Sequence, residues 1–477
     1  MDNSLELGTE SIPRLLWKYS LPAVVGMVVQ ILYIMVDAAV VGHFVGQEGL
    51  AAVTLVLPIT ILSNGFGLLV GVGACVCTSL LLGQRRLADA EKTLGNAFVM
   101  LLISSAVMIV SLLFGGDLFI QQTSCNEERI REMARLFLYI TISFGFLAPV
   151  TLGLNNIIRV QGNPHVAMYT LLIGALLNTI LNPIFVGALG WGVAGSAWAT
   201  VLSQTVTAVW VLLFFASRHS LLKLRFQNFR LDWEVCRPIL LVGLAPFLTQ
   251  VAGSVQGMVL MSQLAYYGDK PALAVWGIIY RTVTVVFLVV LGLYQGTQPI
   301  LGYNYGARQF DRVRKTVNLS IFVATIWCVL ITVPVLAFPN ELVWMFTALT
   351  PDMEKIAPSA VRWSLAMMGF LGFQVISAHY FQAVGKPRLA IFLSLTRQVF
   401  FLIPLLLLLP TLLAYWKVDK LLGIWCSFTI SDTLAFFLTY LFYHREMRQL
   451  KSGDVPVSIL PPESEVEYAS LPLNEGL

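Results

Sequence analysis

Charge is what this chain has least of. Only 12% of its 477 residues are Asp, Glu, Lys or Arg, and 57% are apolar, against roughly one quarter charged in soluble domains. That balance excludes a soluble globular fold and points to a polytopic membrane protein, because apolar runs long enough to cross a bilayer recur along nearly the whole length. The formal net charge of +4 is too small to call for a nucleic-acid partner. Cysteine is sparse and poorly placed for crosslinking. Cys75, Cys77, Cys236, Cys328 and Cys426 fall in or beside apolar runs and only Cys125 lies in a polar stretch, so no disulfide framework is expected. Cys75 and Cys77 have a C-x-C spacing that a soft metal could use, but with no His or further Cys nearby they read as small buried residues. No HExxH, GxSxG or P-loop pattern occurs, which removes the familiar signatures of a membrane enzyme. The opening MDNSLELGTESIPR has neither a basic n-region nor a small-residue cleavage site, so the first apolar run is expected to stay as an uncleaved anchor.

What is present is a series of twelve apolar runs. Six lie at about 15–41, 50–81, 95–114, 136–157, 166–187 and 192–216, and six more at about 238–266, 272–302, 316–338, 360–381, 389–410 and 422–443. With the N-terminus inside, 20 of the 30 Lys and Arg residues fall on the inner side and 8 on the outer, with Arg281 and Arg397 inside spans. The positive-inside rule therefore places both termini in the cytoplasm. The loop GQRRLADAEKT from Gly83 reappears 223 positions later as GARQFDRVRKT from Gly306, and VQGNPHVA reappears as AVGKPRLA with the same shift, Gly162 matching Gly385. Six spans per copy is an even number, so the copies share one orientation and form parallel repeats, a transporter architecture that handles substrate between halves near the midplane. The expected fold is all-α: twelve transmembrane helices in two parallel-repeat six-helix lobes. Residues 1–217 form the first lobe, 218–237 a cytoplasmic linker lying along the headgroups, 238–445 the second lobe, and 446–477 a disordered cytoplasmic tail.

Within this apolar frame a few polar residues stand out. Asp37 lies in the second half of the first span, where a carboxylate costs about 2.5–3.5 kcal/mol and must face a bundle interior or a wet cavity. Gln30 is seven residues earlier, two turns away on the same face. Asn178 and Asn182 are one turn apart in the fifth span, with Pro183 freeing a carbonyl beside them, and Thr200 sits at similar depth in the sixth. Together these are hard oxygen donors suited to a proton-linked network or to Na⁺, although Asn pairs also serve as interhelical glue. The second half has no acid matching Asp37. It carries Arg281, Arg397 and Asp432 instead, a candidate buried charge cluster in which Arg397 and Asp432 would relieve each other's burial as an ion pair or face a substrate. Pro22 and Pro246, 224 positions apart, each remove a helix hydrogen bond and are candidate hinges, one per half. The glycines Gly65, Gly67, Gly71 and Gly73 of the second span offer a smooth surface for close helix packing or for sliding. His379 near the inner end of the tenth span reads as a hydrogen-bonded interior histidine.

The segments PAVVGMVVQILYIMVDAAVVGHFVG, GQRRLADAEKT with its repeat, VQGNPHVA, FQAVGKPRLA and SLTRQVFFLIPLLLLLP together resemble the multidrug and toxic compound extrusion (MATE) family, in its bacterial DinF-like branch, over nearly the whole chain. That resemblance implies export of small amphipathic compounds, often aromatic or cationic, coupled to H⁺ or Na⁺ and without any other cofactor. It implies two lobes that alternate access, in a monomer of the bacterial cytoplasmic membrane. Its cation site maps onto Gln30, Asp37, Asn178, Asn182 and Thr200. The family pattern commonly has Asp where this chain has Asn182, which halves the formal charge of the site. The competing reading is a flippase of lipid-linked oligosaccharide, whose anionic cargo would call for several cationic residues lining the cavity.

Overall fold

The computed structural model describes residues 5–123, 127–268, 270–347, 350–416, 419–452 and 460. Among them the secondary structure is helical throughout. The twelve spans are α1 (Ile12–Phe44), α2 (Gln47–Gly83), α3 (Leu87–Thr123), α4 (Glu128–Phe144 continuing as Ala148–Val160), α5 (Pro164–Ala188), α6 (Gly192–Ala216), α7 (Trp233–Tyr267), α8 (Lys270–Gly306), α9 (Phe310–Ala337), α10 (Pro351–Ala383), α11 (Pro387–Tyr415) and α12 (Lys420–Ser452). Eleven of them are apolar enough to cross a membrane unbroken, and α4 crosses as a pair bent by 49°. The bend falls between Gly145, which cannot hold the helix rigid, and Pro149, which opens a new first turn where its missing N–H costs nothing. Several helices outrun their apolar cores: α2, at 37 residues, is about 55 Å long, well beyond the ~30 Å hydrocarbon layer.

The two halves repeat each other in backbone as well as in sequence. Gly162 and Gly385 both take left-handed conformations, at φ 89° and 74°, and Arg85 and Arg308 do the same at 63° and 57°. The fifth helix of each half carries a π-helical stretch, Pro183–Ala188 at the C-terminal end of α5 and Thr396–Leu402 midway along α11. Such bulges are frequent where a helix must offer polar groups for function. Pro22 and Pro246 lie inside helices that continue on both sides of them.

Among the described residues, the tightest backbone approaches of the two lobes lie in the half of the bundle that carries the basic loops. A Cβ added to Gly243 of α7 would sit 1.6 Å from the Leu69 carbonyl oxygen of α2, and one on Gly73 of α2 would sit 2.0 Å from that of Ile239 in α7, so only glycine permits this approach. Further along α7, Gly257 has nothing within 4 Å of the same position, and the α1 residues Leu32, Ile34 and Met35 are exposed. The glycine surface of α2 is thus divided. Gly67 and Gly71 pack on Pro149 and Gly153 of α4 inside the first lobe, whereas Gly65 and Gly73 face α7 of the second.

The linker is held more firmly than a headgroup-lying segment would be. Glu91 accepts from Lys223 N and pairs with Arg225 at 3.0 Å, the Asn96 amide bridges Asn228 O and Asp232 N, and Lys92 Nζ meets Asp232 at 2.6 Å. Asp232 also accepts from Glu234 N as an N-cap, so α7 starts at Trp233, inside the stretch read as linker. Cys75, Cys77, Cys236 and Cys328 are buried free thiols and Cys426 is half-buried; Cys125 lies outside the described residues, as does the tail beyond Ser452 except Leu460.

Candidate functional site

Three helices of the first lobe bring the sequence-predicted polar residues together. Asp37 comes from α1, Asn178 and Asn182 from α5, and Thr200 from α6. Asp37 Oδ1 accepts hydrogen bonds from Asn182 Nδ2 and, at 2.8 Å, from the Ser196 hydroxyl. One turn away, Asn178 Nδ2 donates to Thr200 Oγ1 at 3.2 Å. The rungs align because the i,i+4 spacing of 178 and 182 on α5 faces the i,i+4 spacing of 196 and 200 on α6.

Gln30 stands apart from the carboxylate and closes a different edge. With Tyr33, Thr200, Ser203, Gln204 and Thr207 it lines a cavity of about 140 Å³. Thr200 belongs to both groupings and joins them. Ser196 and Tyr33 were not singled out in the sequence. Ser196 lies one turn before Thr200, and Tyr33 lies three residues after Gln30 and four before Asp37, so helical spacing was the signal that could have found them.

Hydrogen-bond accounting shows what the site lacks. The side-chain oxygens of Asn178 and Asn182 are both buried without a hydrogen-bond partner among the described residues. Leaving such a group unsatisfied costs about 1–3 kcal/mol, and here two occur one turn apart beside a carboxylate. Neutral amide oxygens and a carboxylate are ligands for a hard cation or for a proton carrier. Among the described residues no group of three His, Cys, Asp or Glu side chains could hold a metal, so any cation would rest on amide and hydroxyl oxygens around one acid.

The MatE family model matches this chain twice, over residues 22–184 and 246–408. The chain belongs to the MatE family. Both matches begin at the prolines noted above, Pro22 and Pro246. Curated MatE relatives include the multidrug export protein MepA of Staphylococcus haemolyticus, 26% identical over 431 residues that cover 90% of this chain and 92% of the relative, and MepA of Staphylococcus aureus, 25% identical over 437 residues covering 90% and 93%. Among solved structures, a MOP superfamily transporter from Pyrococcus furiosus superposes with a TM-score of 0.86 at 23% identity, covering 94% of this chain and 98% of that one. A MATE protein in a bent conformation superposes at 0.87 and 23% identity, covering 95% and 99%. These likenesses fix the two-lobed MATE fold and make the chain a multi-pass membrane transporter.

In the second MatE lobe the predicted charges do not form one cluster. Arg397, on the π-helical stretch of α11, places Nε 2.7 Å and Nη2 3.5 Å from the two Asp432 oxygens of α12. Ser431 Oγ donates to the Arg397 carbonyl and Gln374 Nε2 to the Asp432 carbonyl, which ties α10, α11 and α12 together around the pair. Arg281 is exposed and joins no ion pair among the described residues. Its place in the buried cluster is therefore corrected: the helix turns that position away from packed protein, and its charge is not desolvated by neighbours. His379 Nδ1–H donates to the Val375 carbonyl at 2.7 Å and the ring packs on Tyr294, ring centres 4.4 Å apart, an interior histidine as read from the sequence.

Proposed function

We propose that this MatE transporter is a secondary exporter of small amphipathic compounds, aromatic or cationic in character, driven by H⁺ or Na⁺ moving inward. It works as a monomer in the bacterial cytoplasmic membrane with both termini in the cytoplasm. The observation that carries this reading is the pair of partnerless buried oxygens on Asn178 and Asn182 beside Asp37, a donor set already assembled on three helices. A cation arriving at Asp37 competes with Asn182 and Ser196 for the carboxylate, and Na⁺ would also draw on Asn178 and Thr200. Either event disturbs the contacts that hold α1 against α5 and α6.

That local change moves the lobes only to the extent that the cation binds one arrangement more tightly than the other. Asymmetric closure of the lobes, tight at the basic end and open at the other, supports an outward-open resting arrangement with Pro22 and Pro246 as the flexing points of α1 and α7. The relatives named multidrug export proteins support the substrate class. Flipping of an anionic lipid-linked sugar is disfavoured, because Arg397, one of the two arginines the sequence placed inside spans to meet such a cargo, is committed to Asp432. The test is ion flux in proteoliposomes under an imposed H⁺ or Na⁺ gradient. Flux that rises on adding an aromatic cation, with one ion and not the other, is the expected result; no substrate-dependent flux with either ion would remove the proposal.

A further inference from the structure

The two repeats meet their own counterparts where the inner ends of α2 and α8 cross. A Cβ on Gly302 of α8 would sit 1.9 Å from Ser79 Oγ of α2, and Cβ atoms on Gly83 and Gly306 would fall 2.1 Å and 2.2 Å from the carbonyl oxygens of Tyr303 and Leu80. Ser79 and Gly302 are related by the 223-residue shift, as are Gly83 and Gly306, and Leu80 and Tyr303. The axis relating the lobes therefore runs through this crossing. The inner half of α4, Ala148–Val160, and the end of α10, Leu371–Ala383, obey the same shift, and the Ala383 carbonyl oxygen lies 3.5 Å from the Gly302 Cβ position.

Polar side chains gather near this axis from both lobes. In the first, Cys75 Sγ donates to Asn156 O at 3.5 Å and Arg159 Nη1 donates to Asn156 Oδ1 at 3.2 Å. The matching positions in the second are Gln298, His379 and Gln382, and there Tyr294 OH donates to Gln382 Oε1 at 3.5 Å. The Cys75 sulfur joins the two groups, within electrostatic range of the Arg159 guanidinium and of the Tyr294 hydroxyl. Closing the seam also strands polar atoms of both lobes: Thr78 Oγ1 and Asn155 Oδ1 in the first, and Gln298 Nε2 and Gln382 Nε2 in the second, are buried with no hydrogen-bond partner among the described residues.

Arg159 breaks the charge balance that holds at the other buried ions. It is 5% exposed and has no ion pair among the described residues. The buried acids Glu91, Asp432 and Glu446 are each committed to another cation, Arg225, Arg397 and Lys386, and the buried Arg86 has Asp89. A guanidinium stripped of water and given a neutral acceptor in place of an acid is held at a cost, and its counterpart Gln382 carries no charge to share it. Parting of the inner ends would let water reach the axis and relieve that cost. We infer that Arg159 is a charge stored against the closed inner seam: it biases the lobes toward the inward-open arrangement and sets how often the empty transporter reopens to the cytoplasm. A group shifts such an equilibrium only by the difference in its free energy between the two arrangements, and for Arg159 that difference is hydration. The inference rests on the lobe alternation proposed above, not on which ion or compound is moved.

The test reads the lobe equilibrium instead of transport. Arg85 and Arg308 are exposed on the repeat-related turns beside the seam. The full chain carries Arg85→Cys and Arg308→Cys with spin labels, its six native cysteines replaced by Ser, in proteoliposomes without an ion gradient. Pulsed electron paramagnetic resonance then gives a short distance for the closed seam and a long one for the open seam. Arg159→Gln, which keeps a donor for Asn156 and copies residue 382, should lower the long-to-short ratio at least ~10-fold, whereas Arg159→Lys should stay within ~3-fold of the parent. Gln382→Arg, which adds a second charge at the matching position, should raise the ratio. Arg159→Gln should also raise the midpoint of thermal unfolding in detergent, because an uncompensated charge leaves the interior. A ratio unchanged or raised in Arg159→Gln, as a residue that ties the lobes together would give, overturns the inference, and so does a lower midpoint. If the parent shows the short distance alone, Gln382→Arg must bring out the long one or the inference fails; should that variant not fold, the midpoint decides. Labels that respond to Arg159 in protein without substrate-dependent ion flux would remove the exporter reading and support this one, and labels that ignore Arg159 in protein with such flux would overturn this one alone.

Discussion

Asn182 donates its side-chain N–H to Asp37 Oδ1 and keeps its own carbonyl oxygen buried and unpaired. Position 182 is therefore a donor here, and it holds the carboxylate without adding charge. Asn182→Asp would exchange that donor for an acceptor and set two carboxylates against each other, an arrangement stable only if they share a proton or bind a cation. The variant is expected to keep its fold in the presence of Na⁺ or at mildly acidic pH, and to bind cation more tightly than the parent by calorimetry. Unchanged cation affinity would mean that the oxygens at this position do not face the ion.

Much of this architecture was legible because hydropathy, charge bias and a 223-residue repeat are long-range regularities that packing cannot override. The site was legible where helical spacing governs, as for 178 with 182. It was not legible at Ser196, since a serine in a small-residue stretch such as GVAGSAW reads equally as a packing residue. Arg281 misled for a related reason: its depth in α8 could be counted, but the direction it faces depends on how the lobes meet. The break in α4 and the π-helical stretches of α5 and α11 depend on tertiary satisfaction of freed backbone groups, which no periodicity announces.

The Arg397–Asp432 pair is a second, separable expectation. Neutralising either residue leaves its partner charged in a mostly buried place, so Arg397→Gln and Asp432→Asn should each cost about 2–3 kcal/mol in detergent, toward the low side for buried pairs because Arg397 keeps 29% exposure. The double variant should recover at least ~1 kcal/mol of the summed loss. Strictly additive losses in thermal unfolding would show that the two charges do not support each other.

Topology offers a check that needs no transport assay. The turns at Arg85 and Arg308 line one cavity, which parallel repeats require and inverted repeats forbid. Reporter fusions placed after Arg85 and after Arg308 should both read cytoplasm. Opposite readings would contradict the parallel arrangement.

The linker should respond to acid. Asp232 accepts from Lys92 and from Glu234 N, and these hydrogen bonds hold its carboxyl below the usual carboxylate range. A depressed folded-state value means the contribution is complete above the unfolded value near 4 and is lost as pH falls through the folded one. Hydrogen exchange at the backbone of residues 218–232 should therefore quicken below pH ~4 in the parent. In Asp232→Asn it should be faster at neutral pH and less dependent on acid.

Asp37 carries the heaviest expectation, because it is the acid on which the α1, α5 and α6 contacts converge. Asp37→Asn removes a charge that is expensive in the membrane and keeps a side chain able to accept from Ser196, so insertion and thermal stability should match the parent within about 1 kcal/mol. Export driven by the ion gradient should fall at least ~100-fold, while equilibrium binding of an aromatic cation by fluorescence is retained. Ser196→Ala removes one hydrogen bond to the same carboxylate and leaves the charge in place. It should lower the rate only several-fold and shift the ion concentration at half-maximal flux, as expected of a residue that positions the acid. If Asp37→Asn exported at the parental rate with the same response to the gradient, coupling would have to reside elsewhere, and the unpaired oxygens of Asn178 and Asn182 would be features of helix packing alone.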